Sequence, residues 1–227
     1  ASIPIDDPKN DVISRYQILD DTSLTESIVQ TLRKVKVEKF VFLSSVFAYG
    51  DCDGWSTSET TVLNPKTHYG ISKAVGEYII KAYLDNWNII RTTSVYGFGD
   101  SNLRATQIFI NKALNNDNFW VNADTLLDFI YIKDLVGGIA DVALSGFKKE
   151  NFHITGGKAL RLVDYVNEIK KYFPKIRYKV KIGLNDRPKR ATMDNTKARI
   201  LLGWEPKYSL AEGVRDYIKY SKKYKIG

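Results

Sequence analysis

Cysteine is nearly absent from this chain of 227 residues, with Cys52 the single case. One thiol excludes an internal disulfide and fits a reducing compartment, so a cytoplasmic location is expected. Long hydrophobic runs are also missing. No stretch approaches the ~20 apolar residues that a bilayer-spanning helix needs, and no membrane partner is expected. The opening stretch ASIPIDDPKNDV lacks the basic-then-apolar layout of a signal peptide. There is no internal repeat and no low-complexity segment.

What is present is an ordinary globular composition, 44% hydrophobic and 26% charged. The length allows one sizeable core, or one domain with a smaller lobe. Net charge is +8. The densest basic runs are RKVKVEK (33–39), KIRYKVK (175–181) and KYSKKYK (219–225), but acids are interspersed elsewhere rather than segregated. The balance fits a solvated surface or an anionic small substrate better than a nucleic acid, which is not expected as a partner.

Strand-length apolar runs alternate with helix-period stretches. SLTESIVQTLRKV opens with Ser23 and carries Glu26 three residues later, the spacing of a capping box that predicts a helix start at Ser23. KFVFLSS follows as a short continuous apolar run, the signature of a parallel strand buried on both faces. The polar stretch 51–68 reads as a loop. A helix is predicted over 69–84, then a strand in WNIIRTTSVYG. Beyond residue 100, ATQIFINKALNN reads as helix, LLDFIYI as strand, and KDLVGGIADVAL as helix despite two glycines. NFHIT reads as a strand; RLVDYVNEIKKYF, NTKARILLGW and SLAEGVRDYIKYSKK read as helices. This alternation predicts an α/β fold with a largely parallel sheet.

One spacing carries chemistry. Tyr69 precedes Lys73 by four residues, and none of the other tyrosines among the fourteen has Lys at that distance. Residues i and i+4 share a helix face, roughly 6 Å apart at Cβ. A free phenol has a pKa of about 10 and is a poor base at neutral pH; a neighbouring ammonium stabilises the phenolate and lowers that value. Just upstream, Ser44 and Ser45 end the FVFLSS strand, and ligands of open α/β sheets bind beyond the carboxyl ends of strands. An exposed Tyr beside an exposed Lys, with serines that satisfy loop backbone groups, is the competing reading.

Three segments, FVFLSSVFAYGD, HYGISKAVGEYII and IIRTTSVYGFGD, together resemble the extended short-chain dehydrogenase/reductase family, within it the NAD-dependent sugar-nucleotide epimerases, dehydratases and reductases. LLDFIYIKDLVGGI resembles the segment that returns from the family's substrate lobe to its nucleotide-binding sheet, and RPKRATMDNTKARILLGWEPKYSLAEGV resembles the C-terminal stretch, with Leu202, Gly203, Trp204, Glu205 and Pro206 as its Leu-Gly-Trp-x-Pro element. The resemblance implies a Rossmann-like doubly wound parallel sheet with a smaller C-terminal substrate lobe. Residues 1–100 would form part of the dinucleotide-binding domain, and 101–227 mainly the substrate lobe, with segments near 128–156 returning to the sheet.

It further implies Tyr69 as catalytic acid/base, Lys73 as the residue that lowers its pKa and binds the nicotinamide ribose, and Ser45 as the catalytic hydroxyl. Thr93 would touch the nicotinamide end of NAD or NADP. Ser94, Asn102 and Leu103 would line the sugar-nucleotide site, with Arg190 and Arg187 as partners of the substrate phosphates. No metal is implied. The implied reaction is hydride transfer at a sugar carbon while Tyr69 takes or returns the hydroxyl proton, and an epimerase returns the hydride to the other face. A sugar-nucleotide reductase and a non-catalytic member of the fold are the alternatives. A homodimer through the helices at 23–35 and 69–84 is expected by the same resemblance.

The chain departs from the family pattern in four places. The Gly-rich loop that cradles the dinucleotide pyrophosphate is not in it, and the sequence reads as beginning roughly 70–80 residues into a family member, judged from where catalytic elements fall in a doubly wound fold. Val46 and Phe47 stand where 4,6-dehydratases carry Asp and Glu, which disfavours water elimination. Leu127 stands where many members place an Arg. LDDTSLT, with Asp20, Asp21, Leu24 and Thr25, replaces a usual Asn and Gly-Thr pattern.

Overall fold

The computed structural model describes residues 11–35, 37–52, 56–100, 104–123, 125–182 and 192–224. The first helix, α1, spans Asp11–Leu32. It therefore begins twelve residues before Ser23, which lies mid-helix, and the predicted start there is wrong. The short polar side chains of this stretch do not stop the helix; they bond to the preceding turn instead, Thr25 Oγ1 donating to the carbonyl of Asp21 at 2.8 Å and Thr31 Oγ1 to that of Ser27 at 2.9 Å.

Strand β1 (Phe40–Ser45) follows, then a 3-10 turn Val46–Tyr49 and a two-residue strand β2 (Ser56–Thr57). Helix α2 spans His68–Tyr83, opened by Thr67, whose hydroxyl accepts from the N–H of Gly70 at 3.1 Å. The stretch read as one strand, WNIIRTTSVYG, is two: β3 (Trp87–Thr92) and β4 (Ser94–Tyr96), which belong to different sheets. The later elements are α3 (Ala105–Leu114), β5 (Phe119–Asn122), β6 (Leu126–Tyr131), α4 (Ile132–Leu144), β7 (Glu150–His153), β8 (Ala159–Arg161), α5 (Leu162–Tyr172), β9 (Tyr178–Lys181), β10 (Thr192–Met193), α6 (Thr196–Leu202) and α7 (Leu210–Tyr224).

The organising sheet is parallel, in the order β1–β3–β7, with Ser45 beside Thr92 and Arg91 beside His153. All six residues of β3 are buried, as expected of a central parallel strand covered on both faces. Three of them, Asn88, Arg91 and Thr92, are polar and each is bonded, Thr92 donating to the carbonyl of Ile154 at 2.9 Å. Asn88 donates to the carbonyl of Phe147 at 2.8 Å, and Arg91 is ion-paired. Among the described residues no strand pairs with the other edge of β1, and Leu43 on that strand is 42% exposed.

Apolar packing falls into patches on either side of this sheet. Val29 of α1 meets Ile80 of α2 and Trp87 and Ile89 of β3. On the opposite face, Ile90, Leu135, Val142, Phe152, Ile154 and Trp204 form a second cluster. A larger aromatic core joins α3, α5, α7 and β6 through Phe109, Phe129, Tyr165, Val166, Ile169 and Tyr217. Short ladders knit the chain's distant parts: β4 runs parallel to β6, β8 antiparallel to β6, β5 parallel to β9, and β2 parallel to β10.

The Leu-Gly-Trp-x-Pro element now has a physical reading. Gly203 ends α6 in the left-handed conformation (φ +64) that favours glycine. That reversal drops Trp204 into the second cluster, where its Nε1–H donates to the carbonyl of Asp134 at 3.2 Å. The carboxylate of Asp134 accepts from the backbone N–H groups of Lys207 (2.9 Å) and Tyr208 (3.1 Å). The C-terminal segment is thereby fastened to the first turn of α4.

Candidate active site

Ser45 is the last residue of β1 and the N-cap of the 3-10 turn, its hydroxyl accepting from the N–H of Phe47 at 3.2 Å. Tyr69 lies in the first turn of α2. The two meet because α2 approaches the 3-10 turn closely at Gly70: a Cβ there would collide with the carbonyl of Phe47. Tyr69 then sits edge-on to Phe47 (ring centroids 5.6 Å, interplanar angle 77°), with the Ser45 hydroxyl near enough to favour its ionised form. Lys73, one turn on, places its ammonium 5.6 Å from the Tyr69 ring centre and 5.3 Å from that of Phe42, and donates to the carbonyl of Leu43 at 3.2 Å. Thr93 and Ser94, both half-buried, follow β3 directly. Since Ser45 is in register with Thr92, they lie at the same carboxyl end of the sheet.

Electrostatics modify one expectation. Burial raises the Tyr69 phenol above its ordinary value, against the lowering effects of the Ser45 hydrogen bond and the Arg104 guanidinium; Asp21 adds to the rise. The lowering anticipated from the Tyr–Lys spacing is not what the site shows: desolvation dominates, and the opposing pull comes from Ser45 and Arg104. Lys73 is subject to the same cost: burial lowers its value, and Asp21 opposes that fall. Both groups are pushed toward their neutral forms, a shift that moves the ammonium toward neutral pH and the phenol away from the range that suits a general base.

Ser44 is not part of this group. It is buried, and its hydroxyl donates to Glu77 at 2.7 Å. Asn102, Leu103, Arg187 and Arg190 lie outside the described residues. Arg104 and Asp21 were not legible as site residues. Arg104 is separated from Tyr69 by 35 positions with no motif around it, and Asp21 is brought near by the packing of α1 on α2, where its carboxylate accepts from Ser72 at 3.1 Å.

The arrangement is a hydroxyl, a phenol and an ammonium gathered at the carboxyl end of parallel strands, a set that can take and return one proton. No group of three or more His, Cys, Asp or Glu capable of holding a metal occurs among the described residues. No described helix is long and apolar enough to cross a membrane.

The profile of the NAD dependent epimerase/dehydratase family matches residues 6–154. A protein of Methanocaldococcus jannaschii, provisionally named UDP-glucose 4-epimerase, is 30% identical over 218 residues, covering 87% of this chain and 68% of the relative. The crystal structure of a UDP-glucose 4-epimerase from Thermotoga maritima with UDP-glucose superposes with a TM-score of 0.82 at 25% identity, covering 95% of this chain and 74% of that one. A dTDP-glucose 4,6-dehydratase from Streptomyces venezuelae with NAD bound gives a TM-score of 0.86 at 21% identity, over 98% and 72%. This chain spans about two thirds of the length of the curated relatives it matches.

Proposed function

Because this chain belongs to the NAD dependent epimerase/dehydratase family, we propose that it carries the proton-transfer residues of an NAD-dependent sugar-nucleotide epimerase. The observation that supports this best is the juxtaposition of Ser45 and Tyr69 with Lys73 one turn away, at the carboxyl end of β1.

The residues present fit the nicotinamide half of NAD. Lys73 would offer donors to ribose hydroxyls, and Ser45, Tyr69 and Thr93 lie together at the carboxyl end of the sheet, where such ligands bind. Bound there, NAD supplies a two-electron hydride acceptor. Tyr69 removes the proton of the sugar hydroxyl at its phenol oxygen and later returns it. Ser45 donates to the same substrate oxygen and holds the phenol in line. Lys73 and Arg104 favour the phenolate while it exists. Ser94 and, outside the described residues, Asn102, Leu103, Arg187 and Arg190 would contact the nucleotide sugar.

Epimerisation is favoured over dehydration by what stands next to the phenol. Val46 is buried in an apolar patch and Phe47 lies edge-on to Tyr69, so this turn supplies no carboxyl group for water elimination. On the same reading, residues 1–100 belong to the dinucleotide-binding part and 101–227 mainly to the substrate lobe. The pairing of β7 with β3 supports the return of segments near 128–156 to the first sheet. A second copy of the chain is the expected partner. The packed pair α1 and α2 leaves Leu24, Ile28, Tyr78 and Tyr83 exposed, and light scattering of the purified protein reads the stoichiometry. A cytoplasmic location accords with the single cysteine.

The test is interconversion of UDP-glucose and UDP-galactose, and of related nucleotide sugars, by the natural-length protein with NAD. Wild type is compared with Tyr69→Phe. A loss of about 10²- to 10⁴-fold is expected for removal of a general acid/base. Equal rates would take Tyr69 out of the chemistry.

A further inference from the structure

Behind the Ser45–Tyr69 pair runs a continuous chain of buried polar groups to which the proposed chemistry assigns no part. Glu77, fully buried on α2, holds Arg91 of β3 in a bidentate pair, Nε to Oε1 at 2.9 Å and Nη2 to Oε2 at 2.6 Å. Ser44 donates to Oε1 at 2.7 Å and Lys81 to Oε2 at 3.2 Å. Nη1 of Arg91 donates to the Tyr49 hydroxyl at 2.6 Å and to the backbone carbonyl of Glu59 at 2.9 Å. The Tyr49 oxygen lies 2.7 Å from Nε2 of His153, whose Nδ1 lies 2.9 Å from the carbonyl oxygen of Asp194. The Glu59 carboxylate accepts from the His153 backbone N–H at 2.9 Å.

Donor arithmetic fixes the protons. The carbonyl of Asp194 can only accept, so Nδ1 of His153 carries hydrogen. Burial lowers the affinity of the imidazole for a second proton. With the imidazole neutral, Nε2 accepts from Tyr49 at 2.7 Å, the shorter of the two acceptor contacts of that hydroxyl, the other being the Ser58 carbonyl at 3.2 Å, while Tyr49 accepts from Arg91. Tyr69, Lys73 and Glu77 stand at four-residue steps along one face of α2, with no break in the helix between them. Glu77 and Tyr69 thus share one uninterrupted helix, so a shift of that helix at Glu77 would carry Tyr69 with it.

We propose that His153 is a positioning residue for the reaction: anchored at Nδ1 by residue 194, it orients Tyr49, and through Tyr49 the Arg91–Glu77 pair that sets the placement of Tyr69 and Lys73 opposite Ser45. The inference rests on the reading of Tyr69 as the acid/base. It also ties the segment that opens α6 to the helix that carries the chemistry.

Two substitutions separate the ends of the imidazole. His153→Asn places an amide near the Nδ1 position and leaves Tyr49 only the more distant Ser58 carbonyl, at 3.2 Å, as acceptor. His153→Gln reaches the Nε2 position and keeps that acceptor. In the natural-length protein, His153→Asn is expected to lower kcat by about tenfold or more with KM changed less than about twofold, the pattern of a misplaced reacting group rather than lost substrate binding. His153→Gln is expected to stay within about threefold of wild type by the same reasoning. Equal losses in the two variants, or a loss confined to KM, would overturn the proposal. The chain has only two histidines, so long-range 1H–15N spectra read the tautomer directly. A neutral Nδ1–H imidazole at pH 7 is expected, and an Nε2–H tautomer also overturns the proposal. Should wild type turn over no nucleotide sugar, the functional reading fails separately. The coupling is then decided by the backbone amide resonances of Tyr69 and Lys73. Shifts in His153→Asn but not in His153→Gln sustain it, and unmoved resonances in both remove it.

Discussion

Two adjacent glycines in α4 give opposite predictions from one physical argument. Gly137 is exposed, and a Cβ added there meets no atom within 4 Å. Replacing it by alanine removes only the conformational freedom of glycine in a helix interior, about 1 kcal/mol. Gly138 is buried, and a Cβ there would lie 2.5 Å from Cγ2 of Ile154 and 3.0 Å from Nε1 of Trp204. Ile154 is fully buried and Trp204 is held by its hydrogen bond to Asp134, so neither gives way freely. Overpacking of this kind costs about 1–3 kcal/mol, and displacing the indole from its acceptor adds about 1 kcal/mol more. After the helix gain of about 1 kcal/mol is subtracted, Gly138→Ala is expected to be destabilising by about 1–3 kcal/mol. A chain of this size shifts its midpoint by about 2–4 °C for each kcal/mol. Thermal unfolding followed by circular dichroism should thus move up by a few degrees for Gly137→Ala and down for Gly138→Ala, and urea midpoints should agree with m unchanged. If Gly138→Ala were as stable as wild type, or both variants moved the same way, the packing of α4 on Ile154 and Trp204 would be wrong as described.

Three further outcomes follow from buried or site groups. Glu77→Ala leaves the Arg91 guanidinium buried without its counter-charge, which should cost about 3–5 kcal/mol; a urea midpoint within error of wild type would contradict the pairing. Burial pushes the Asp128 carboxyl up to about 7, against the pull of backbone N–H groups at Met193 and residues 156–158. Its folded value lies above the unfolded one, so its contribution is full below about pH 4 and is lost as pH rises through about 7. Asp128→Asn should flatten that part of the stability–pH profile, and an unchanged slope would assign it to another group. Ser45→Ala removes a hydrogen bond that favours the Tyr69 phenolate, so the ascending limb of the pH–rate profile should move to higher pH; an unmoved limb would detach Ser45 from the phenol.

Much of this protein is legible along the chain because its signals are local. The apolar run of β1 and the Ile89–Ile90 pair of β3 announce strands, of which β3 is buried throughout while β1 leaves Leu43 exposed, and α2 follows from its periodicity. The Tyr69–Lys73 spacing places both side chains on one helix face wherever that helix packs. Even the Gly-Trp turn after α6 needs only Gly203 to form. What the chain alone could not decide is whatever depends on which surfaces meet. Ser23 and Glu26 have the spacing of a helix start, yet the helix runs through them, because a cap is a local preference of about 1 kcal/mol that a longer helix overrides. The break at Thr93 comes from two sheets competing for one strand. The direction of the Tyr69 shift reverses because burial, which no spacing reveals, outweighs a neighbouring charge. The His153–Tyr49–Arg91–Glu77 chain joins residues as far apart as 104 positions, so only the folded arrangement, where water is excluded and every donor must find an acceptor, brings it into being.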